Sequence, residues 1–354
     1  MLNCTEINLN NILFLAIAGI VSFVLTRLMI MASYRFEIFD YPDERKMHKT
    51  PMPYLGGVAV FLSFWVVLGV LSLFCDWYSM AGPHFLPAMF LSSLLIFILG
   101  LLDDFVDVKY YVKIIFQITA AIILILFGFK FERMYIPFYR SFELGIWAYP
   151  ATVLWVVVIG NSINFIDGMD GLATVISVSI CLGLIIISAF LNLSFLMIVA
   201  LVLAGSLVGF FIYNRPPAKI FLGDTGALFL GHIFAIAAVV CPIKSFTAVS
   251  MFVPLVAVSL PLLEVITTII RRIFGRQKIY KADNRHIFHY LQSFKFSQKT
   301  VLSILTTISL IFNAFIPALF WFDRKQVFSI FVVFLMLLVA IFFIFKLNRG
   351  TGKL

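Results

Sequence analysis

The chain has 354 residues, 62% hydrophobic and only 12% charged, with a formal net charge of +9 and a mean hydropathy of +1.08. A soluble domain averages roughly 25% charged residues, so this composition excludes a soluble globular protein and describes an integral membrane protein. The positive charge needs no nucleic acid to explain it, because the topology accounts for it.

Runs of about 20 apolar residues are long enough to cross a bilayer as helices. Eleven are expected, near 12–33, 55–75, 85–102, 112–129, 150–166, 172–191, 195–213, 225–241, 247–270, 300–322 and 327–345. The fold class is therefore all-α: a polytopic membrane helix bundle forming a single domain over 1–354. The residues before the first span carry no Lys or Arg, whereas Arg27, Arg35, Arg45, Lys46 and Lys49 lie at or after its end, so the start does not read as a cleavable signal peptide. The positive-inside rule then places the N-terminus outside, the loop at 34–54 inside and the C-terminus in the cytoplasm, with most of the 26 basic residues on the inner side. Cys4, Cys75, Cys181 and Cys241 have no metal-ligand spacing and read as packing residues.

The first inner loop carries Asp40, Pro42, Arg45, Lys46, His48, Pro51, Pro53 and Gly56-Gly57. Lys46 and His48 are cations suited to phosphate, although a basic loop that only sets topology would carry the same charges. The proline framework favours a shaped loop, because a charge anchor needs no fixed form. Span three ends in Asp103-Asp104-Phe105-Val106-Asp107, followed by Lys109 and Lys113. Helical spacing would put Asp103 and Asp107 on one face. Adjacent carboxylates repel unless a cation or proton joins them, and hard oxygen ligands suit Mg²⁺.

The outer segment 131–150 reads as a short hairpin of aromatic and β-branched residues broken by Pro137 and Gly145. Between spans five and six comes Asn161-Ser162-Ile163-Asn164-Phe165-Ile166-Asp167-Gly168-Met169-Asp170-Gly171, on the inner side again. Alone it could be a solvated turn, but intramembrane polar residues mark function by default. Span seven ends in Pro217-Ala218-Lys219-Ile220-Phe221-Leu222-Gly223-Asp224-Thr225-Gly226, where Phe221 could stack on a base or anchor the interface. Span nine carries Glu264, whose first expected partners are Arg271 and Arg272 or a neighbouring helix. In the last inner loop, His286 and His289 share a helical face beside Arg285. Without a thiolate or a third His, phosphate suits that pair better than zinc.

Taken together, these five segments resemble, in order, the polyprenyl-phosphate N-acetylhexosamine-1-phosphate transferase family, and within it the bacterial undecaprenyl-phosphate N-acetylglucosamine-1-phosphate transferases. Two departures stand out: Phe288 occupies the middle position of the usual His-x-His-His pattern, and Glu264 stands where Asp is common. The resemblance implies transfer of a sugar-1-phosphate from a UDP-sugar to undecaprenyl phosphate of the inner leaflet, on the cytoplasmic face of a bacterial inner membrane. This would be the first membrane step of a cell-envelope polysaccharide pathway. It implies Mg²⁺, with Mn²⁺ as the alternative, on Asp224 and Asn164. Asp103, Asp104 and Asp107 would be catalytic, and Asp170 and Phe221 would contact uracil. Lys113 would hold the lipid phosphate, while Lys46, His48, Asp167, Arg285, His286 and His289 would bind phosphate or sugar. The partners are the UDP-sugar, the lipid acceptor and membrane lipids, with no nucleic acid and a homodimer left open. The alternatives are the phospho-N-acetylmuramoyl-pentapeptide transferases and, from another class, an ion-coupled transporter. A transporter would place its polar residues at mid-membrane on broken helices, whereas here they crowd one face.

Overall fold

The computed structural model describes residues 9–41, 50–74, 76–135, 141–244, 255–274 and 286–350. Among them are twelve α-helices: α1 (Leu9–Phe36), α2 (Gly56–Phe74), α3 (Phe85–Val106), α4 (Tyr110–Leu126), α5 (Ala148–Ile166), α6 (Leu172–Leu191), α7 (Ser194–Asn214), α8 (Gly223–Lys244), α9 (Ser259–Phe274), α10 (Ile287–Gln292), α11 (Gln298–Trp321) and α12 (Arg324–Gly350). Strand β1 (Phe39–Asp40) pairs antiparallel with β2 (Met52–Pro53), and β3 (Arg133–Tyr135) with β4 (Ser141–Glu143). The second pair is the hairpin expected in the outer segment.

Among the described residues eight helices are long and apolar enough to span a bilayer, against the eleven expected for the whole chain. The differences have local causes. α4 stops at Leu126 because the chain turns at Gly128, where φ is 91°, leaving an apolar helix shorter than a full span. In α12 the described side chains run from Lys325 to Val339, an apolar stretch. Within the run at 247–270 the described helix is α9, sixteen residues long, and residues 245–254 lie outside the described set.

Two helices form the centre. The apolar windows of α7 and α8 are 83% and 94% buried, against 22% for α1, which packs along α7 and turns its other side outward. α3 and α5 flank α8, and α6 packs on α7. α11 joins α6 through a polar contact inside the bundle: Ser309 Oγ and Asn313 Nδ2 both donate to Ser179 Oγ, at 3.0 and 2.9 Å. Such interhelical hydrogen bonds, together with small residues at helix contacts, replace the hydrophobic drive that lipid cannot supply.

The close approach that matters for the site is between α2 and α8. A Cβ at Gly57 would lie against the backbone nitrogen and Cα of Gly226. The helices can therefore touch backbone to backbone only because both residues lack side chains. The preceding loop locks into the same place. Gly56 and Gly57 N–H donate to the carbonyls of Phe221 (3.1 Å) and Leu222 (2.8 Å), and Phe221 N–H donates to Pro53 O (2.8 Å). The ends of α3, α5 and α7 and the starts of α2, α4, α6, α8 and α11 thus meet at one end of the bundle, and the β3–β4 hairpin stands at the other.

Candidate active site

At the first end lies a cavity of about 1100 Å³ lined by seven aspartates: Asp40, Asp103, Asp104, Asp107, Asp167, Asp170 and Asp224. Tyr54, Asn164, Phe165, Asn214, Phe221, His286, Phe288 and His289 also face it.

The end of α3 supplies the first carboxylates. Asp103 is buried; its Oδ1 accepts the N–H of Val108 (2.8 Å) and its Oδ2 pairs with Lys113. The Lys113 ammonium also stands 3.6 Å from Asp224 Oδ2, so one cation of α4 bridges two acids from different helices. Asp104 reaches the start of α8. Its Oδ1 accepts the N–H of Asp224 (2.7 Å), and its Oδ2 accepts the N–H (3.0 Å) and hydroxyl (2.5 Å) of Thr225. A helix start leaves such N–H groups without intrahelical partners, and Asp104 caps them from across the bundle. The expected shared face of Asp103 and Asp107 does not form. α3 ends at Val106, and Asp107 turns into the left-handed region (φ 50°) with its N–H on Asp103 O.

The α5–α6 connection brings the next group. Asn164 Nδ2 donates to Asp224 Oδ1 at 2.5 Å. One turn earlier, Asn161 Nδ2 donates to Gln117 Oε1 (2.8 Å), tying α5 to α4 behind the site. Asp167 follows the end of α5. Burial, and then the charges of Asp224, Asp104 and Asp170, push its carboxyl well above the usual range. Asp170 Oδ2 accepts the Ala218 N–H (3.0 Å), joining this connection to the loop after α7. Asn214 holds the same loop, accepting from Thr174 Oγ1 and donating to Ile220 O. Tyr54 on the opposite wall has its hydroxyl pKa raised by burial and then by Asp104 and Asp40.

The third group comes from the segment around α10. Phe288 is 1% exposed, and its ring occupies the space that a Cβ at Gly168 would need. This explains the departure from the His-x-His-His pattern: the ring at this position is a packing wedge that seats the loop on the α5–α6 connection. His286 and His289 flank it and face the cavity. Glu264 lies next to His286: its Oε1 is 2.9 Å from His286 Nδ1, and its Oε2 accepts the Ile287 N–H (3.2 Å).

Of the residues singled out in the sequence, Asp103, Asp104, Asp107, Asn164, Asp167, Asp170, Phe221, Asp224, His286 and His289 line the cavity, and Lys113 is tied to it through two of them. Lys46, His48 and Arg285 lie outside the described residues. Sequence reasoning missed Gln117, Thr225 and Asn214, whose partners are distant in the chain. It did not name His286 as a partner of Glu264, although an isolated acid in an apolar helix was itself a signal.

Among the described residues no three carboxylate, imidazole or thiol groups converge as a protein-only metal cage. The donor set still suits Mg²⁺, which typically takes one or two carboxylates and leaves its other positions to water and substrate phosphate. Asp224, held between Asn164 and Lys113, is the carboxylate that could hold it. Seven aspartates around one cavity would otherwise repel any anionic substrate.

The profile of glycosyl transferase family 4 matches residues 86–242. A probable undecaprenyl-phosphate N-acetylglucosaminyl 1-phosphate transferase of Bacillus subtilis (strain 168) is 35% identical over 317 residues, covering 89% of this chain and 86% of that protein. An undecaprenyl-phosphate alpha-N-acetylglucosaminyl 1-phosphate transferase of Thermotoga maritima is 29% identical over 344 residues, 95% of this chain and 98% of the other. A phospho-N-acetylmuramoyl-pentapeptide-transferase of Carboxydothermus hydrogenoformans is 29% identical over 288 residues, 76% and 84% of the two chains. The chain therefore belongs to the polyprenyl-phosphate N-acetylhexosamine-1-phosphate transferase family, as a multi-pass membrane enzyme of that class.

Proposed function

We propose that the protein transfers N-acetylglucosamine-1-phosphate from UDP-N-acetylglucosamine to undecaprenyl phosphate, on the cytoplasmic face of a bacterial inner membrane. An oxygen of the lipid phosphate attacks the phosphorus next to the sugar, the bond between the two donor phosphates breaks, and UMP leaves. The observation that carries this reading is the cavity at one end of the bundle, where Asp103, Lys113, Asn164 and Asp224 form a connected group among further acids. A site at a membrane face suits one substrate drawn from water and another from lipid.

Phosphoryl transfer between anions rests on positioning and on neutralising charge. Lys113, paired with Asp103, receives the lipid phosphate. A phosphate monoester has its second pKa near about 6, so little proton removal is needed. Asp104, with both oxygens engaged at the start of α8, fixes Asp224, and Asp107 stands at the rim. Phe221 and Asp170, whose backbones and carboxylate tie neighbouring loops together, contact uracil. Asp167, His286 and His289, with Lys46, His48 and Arg285, take the diphosphate and sugar. Mg²⁺ (or Mn²⁺) on Asp224, with Asn164 beside it, would neutralise the donor diphosphate as charge builds on it.

The test is turnover by detergent-purified protein given undecaprenyl phosphate and a panel of UDP-sugars. UDP-N-acetylglucosamine should be the preferred donor. Chelator should abolish activity, and Mg²⁺ or Mn²⁺ should restore it. Asp224→Asn keeps the shape but removes the carboxylate, and should be inactive. Full turnover in excess chelator would defeat the metal role, and preference for the muramoyl-pentapeptide donor would move the chain to the other branch.

A further inference from the structure

We infer that Glu264 is a positioning residue for the reaction: it fixes the ring of His286 so that Nε2 is the atom presented to a phosphate oxygen of the nucleotide-sugar. This rests on the transfer reaction proposed above.

The argument begins with burial. Glu264 lies on α9 with its side chain 3% exposed, and a carboxylate so enclosed must have partners. Both oxygens have them: His286 Nδ1 at 2.9 Å and the Ile287 N–H at 3.2 Å. These partners are consecutive residues, so the carboxylate grips the backbone and the ring of one short segment at once. The segment is also held from the other side, because Phe288 is wedged on Gly168. Phe165 and Phe288 flank the imidazole, with ring centres 6.0 and 5.8 Å away. Rotation of the ring would break the carboxylate bond.

An ionised carboxylate only accepts hydrogen bonds. With Glu264 in that form Nδ1 is the donor of the pair, and the bond it makes decides what the other nitrogen can do. The side chain of His286 is 15% exposed and lines the cavity. With Nδ1 committed to Glu264, Nε2 is the ring nitrogen left to meet substrate. When the ring is cationic, Nε2–H donates to an anionic oxygen while the carboxylate balances its charge. A carboxylate that orients a histidine and stabilises its imidazolium is a device known from hydrolytic triads. Here it would serve binding and charge neutralisation, with no bond made or broken at the imidazole.

The experiment uses detergent-purified full-length protein and steady-state kinetics with UDP-N-acetylglucosamine varied. Glu264→Gln keeps volume but cannot accept at both oxygens. It should lower kcat/KM for the donor at least tenfold in the wild-type background. In the His286→Gln background, where no imidazole remains to be oriented, the further loss should be under twofold. His286→Gln places an amide nitrogen near Nε2, and His286→Asn near Nδ1, so the Gln variant should keep at least tenfold more activity than the Asn variant. Equal losses from Glu264→Gln in both backgrounds would show a role in stability alone and overturn the inference, as would an Asn variant matching or exceeding Gln. The His286 pair decides even if Glu264→Gln does not fold. Wild-type turnover is the control: its absence defeats the proposed reaction, whereas turnover with equal losses defeats only the role of Glu264.

Discussion

Asp167 follows the end of α5 among Asp104, Asp170 and Asp224, and burial, with those charges, raises its carboxyl well above the ordinary range. Between the unfolded carboxylate pKa, about 3.9, and the raised folded value, the folded protein holds more of this proton than the unfolded one does. Stability therefore falls as pH rises through that window. An amide cannot ionise, so Asp167→Asn should melt at a higher temperature than wild type in metal-free detergent, with a gap that widens from about pH 4 upward. A gap that is flat or shrinks with pH would show that the charge at Asp167 is already compensated. The same variant should lose activity, the usual exchange between stability and a charged site. At this scale the sequence was informative where acids cluster in short motifs: Asp103, Asp104, Asp167, Asp170 and Asp224 all reach one cavity. It was silent on division of labour. That Asp104 caps α8 depends on a contact 120 residues away in the chain, and local spacing carries no trace of it. It even misled at Asp107, because helical periodicity cannot foresee the left-handed residue that ends α3.

Helices in this bundle are placed by what they lack. Gly57 of α2 faces the backbone of Gly226, whereas Gly69, on the same helix, has nothing within 4 Å of where a Cβ would stand. The same substitution should therefore have opposite signs at the two positions. Gly57→Ala forces α2 off the start of α8, with an overpacking cost of ~1–3 kcal/mol, and displaces the loop that carries Phe221 and Asp224. Gly69→Ala meets no neighbour and gains the helix preference of Ala over Gly, about 0.5–1 kcal/mol. Melting temperature and turnover, measured together, should both fall for the first variant, while the second holds its turnover and melts no lower. A Gly57→Ala protein as stable and active as wild type would mean that the two helices have room to spare. Element boundaries were legible where hydrophobic runs meet polar motifs, as at α3, α5 and α7. They were less so where the runs are uniformly apolar, because a long run of Phe, Leu and Ile has no period that says how much of it crosses the bilayer. That is why α4, expected as a full span, carries a shorter apolar stretch.

At the scale of the whole molecule, the polar ends of the helices collect at one pole and the β3–β4 hairpin stands at the other. α4 runs away from the cavity into that hairpin, and α5 runs back. This polarity is a property of the chain; which pole faces the cytoplasm is set by charge. Lys and Arg crowd the loops on the cavity side, and basic loops are retained on the inner face. The proposed reaction would require the same orientation, because a charged nucleotide-sugar made in the cytosol does not cross lipid. Single cysteines replacing Arg45, Phe105, Lys219 and Arg285 should therefore resist a membrane-impermeant thiol reagent in intact cells and react once the membrane is opened. A cysteine replacing Glu143, an exposed strand residue of the hairpin, should react in intact cells. The natural background is manageable, since Cys181 and Cys241 are buried and Cys4 and Cys75 can be changed to Ser. The controls guard against two trivial outcomes. A hairpin cysteine that fails to react would show that the reagent does not reach the cell surface, and cavity-side cysteines that stay silent after permeabilisation would show simple burial. Labelling of the cavity-side positions in intact cells, with the hairpin protected, would invert the topology and put the acidic pole out of reach of its proposed donor.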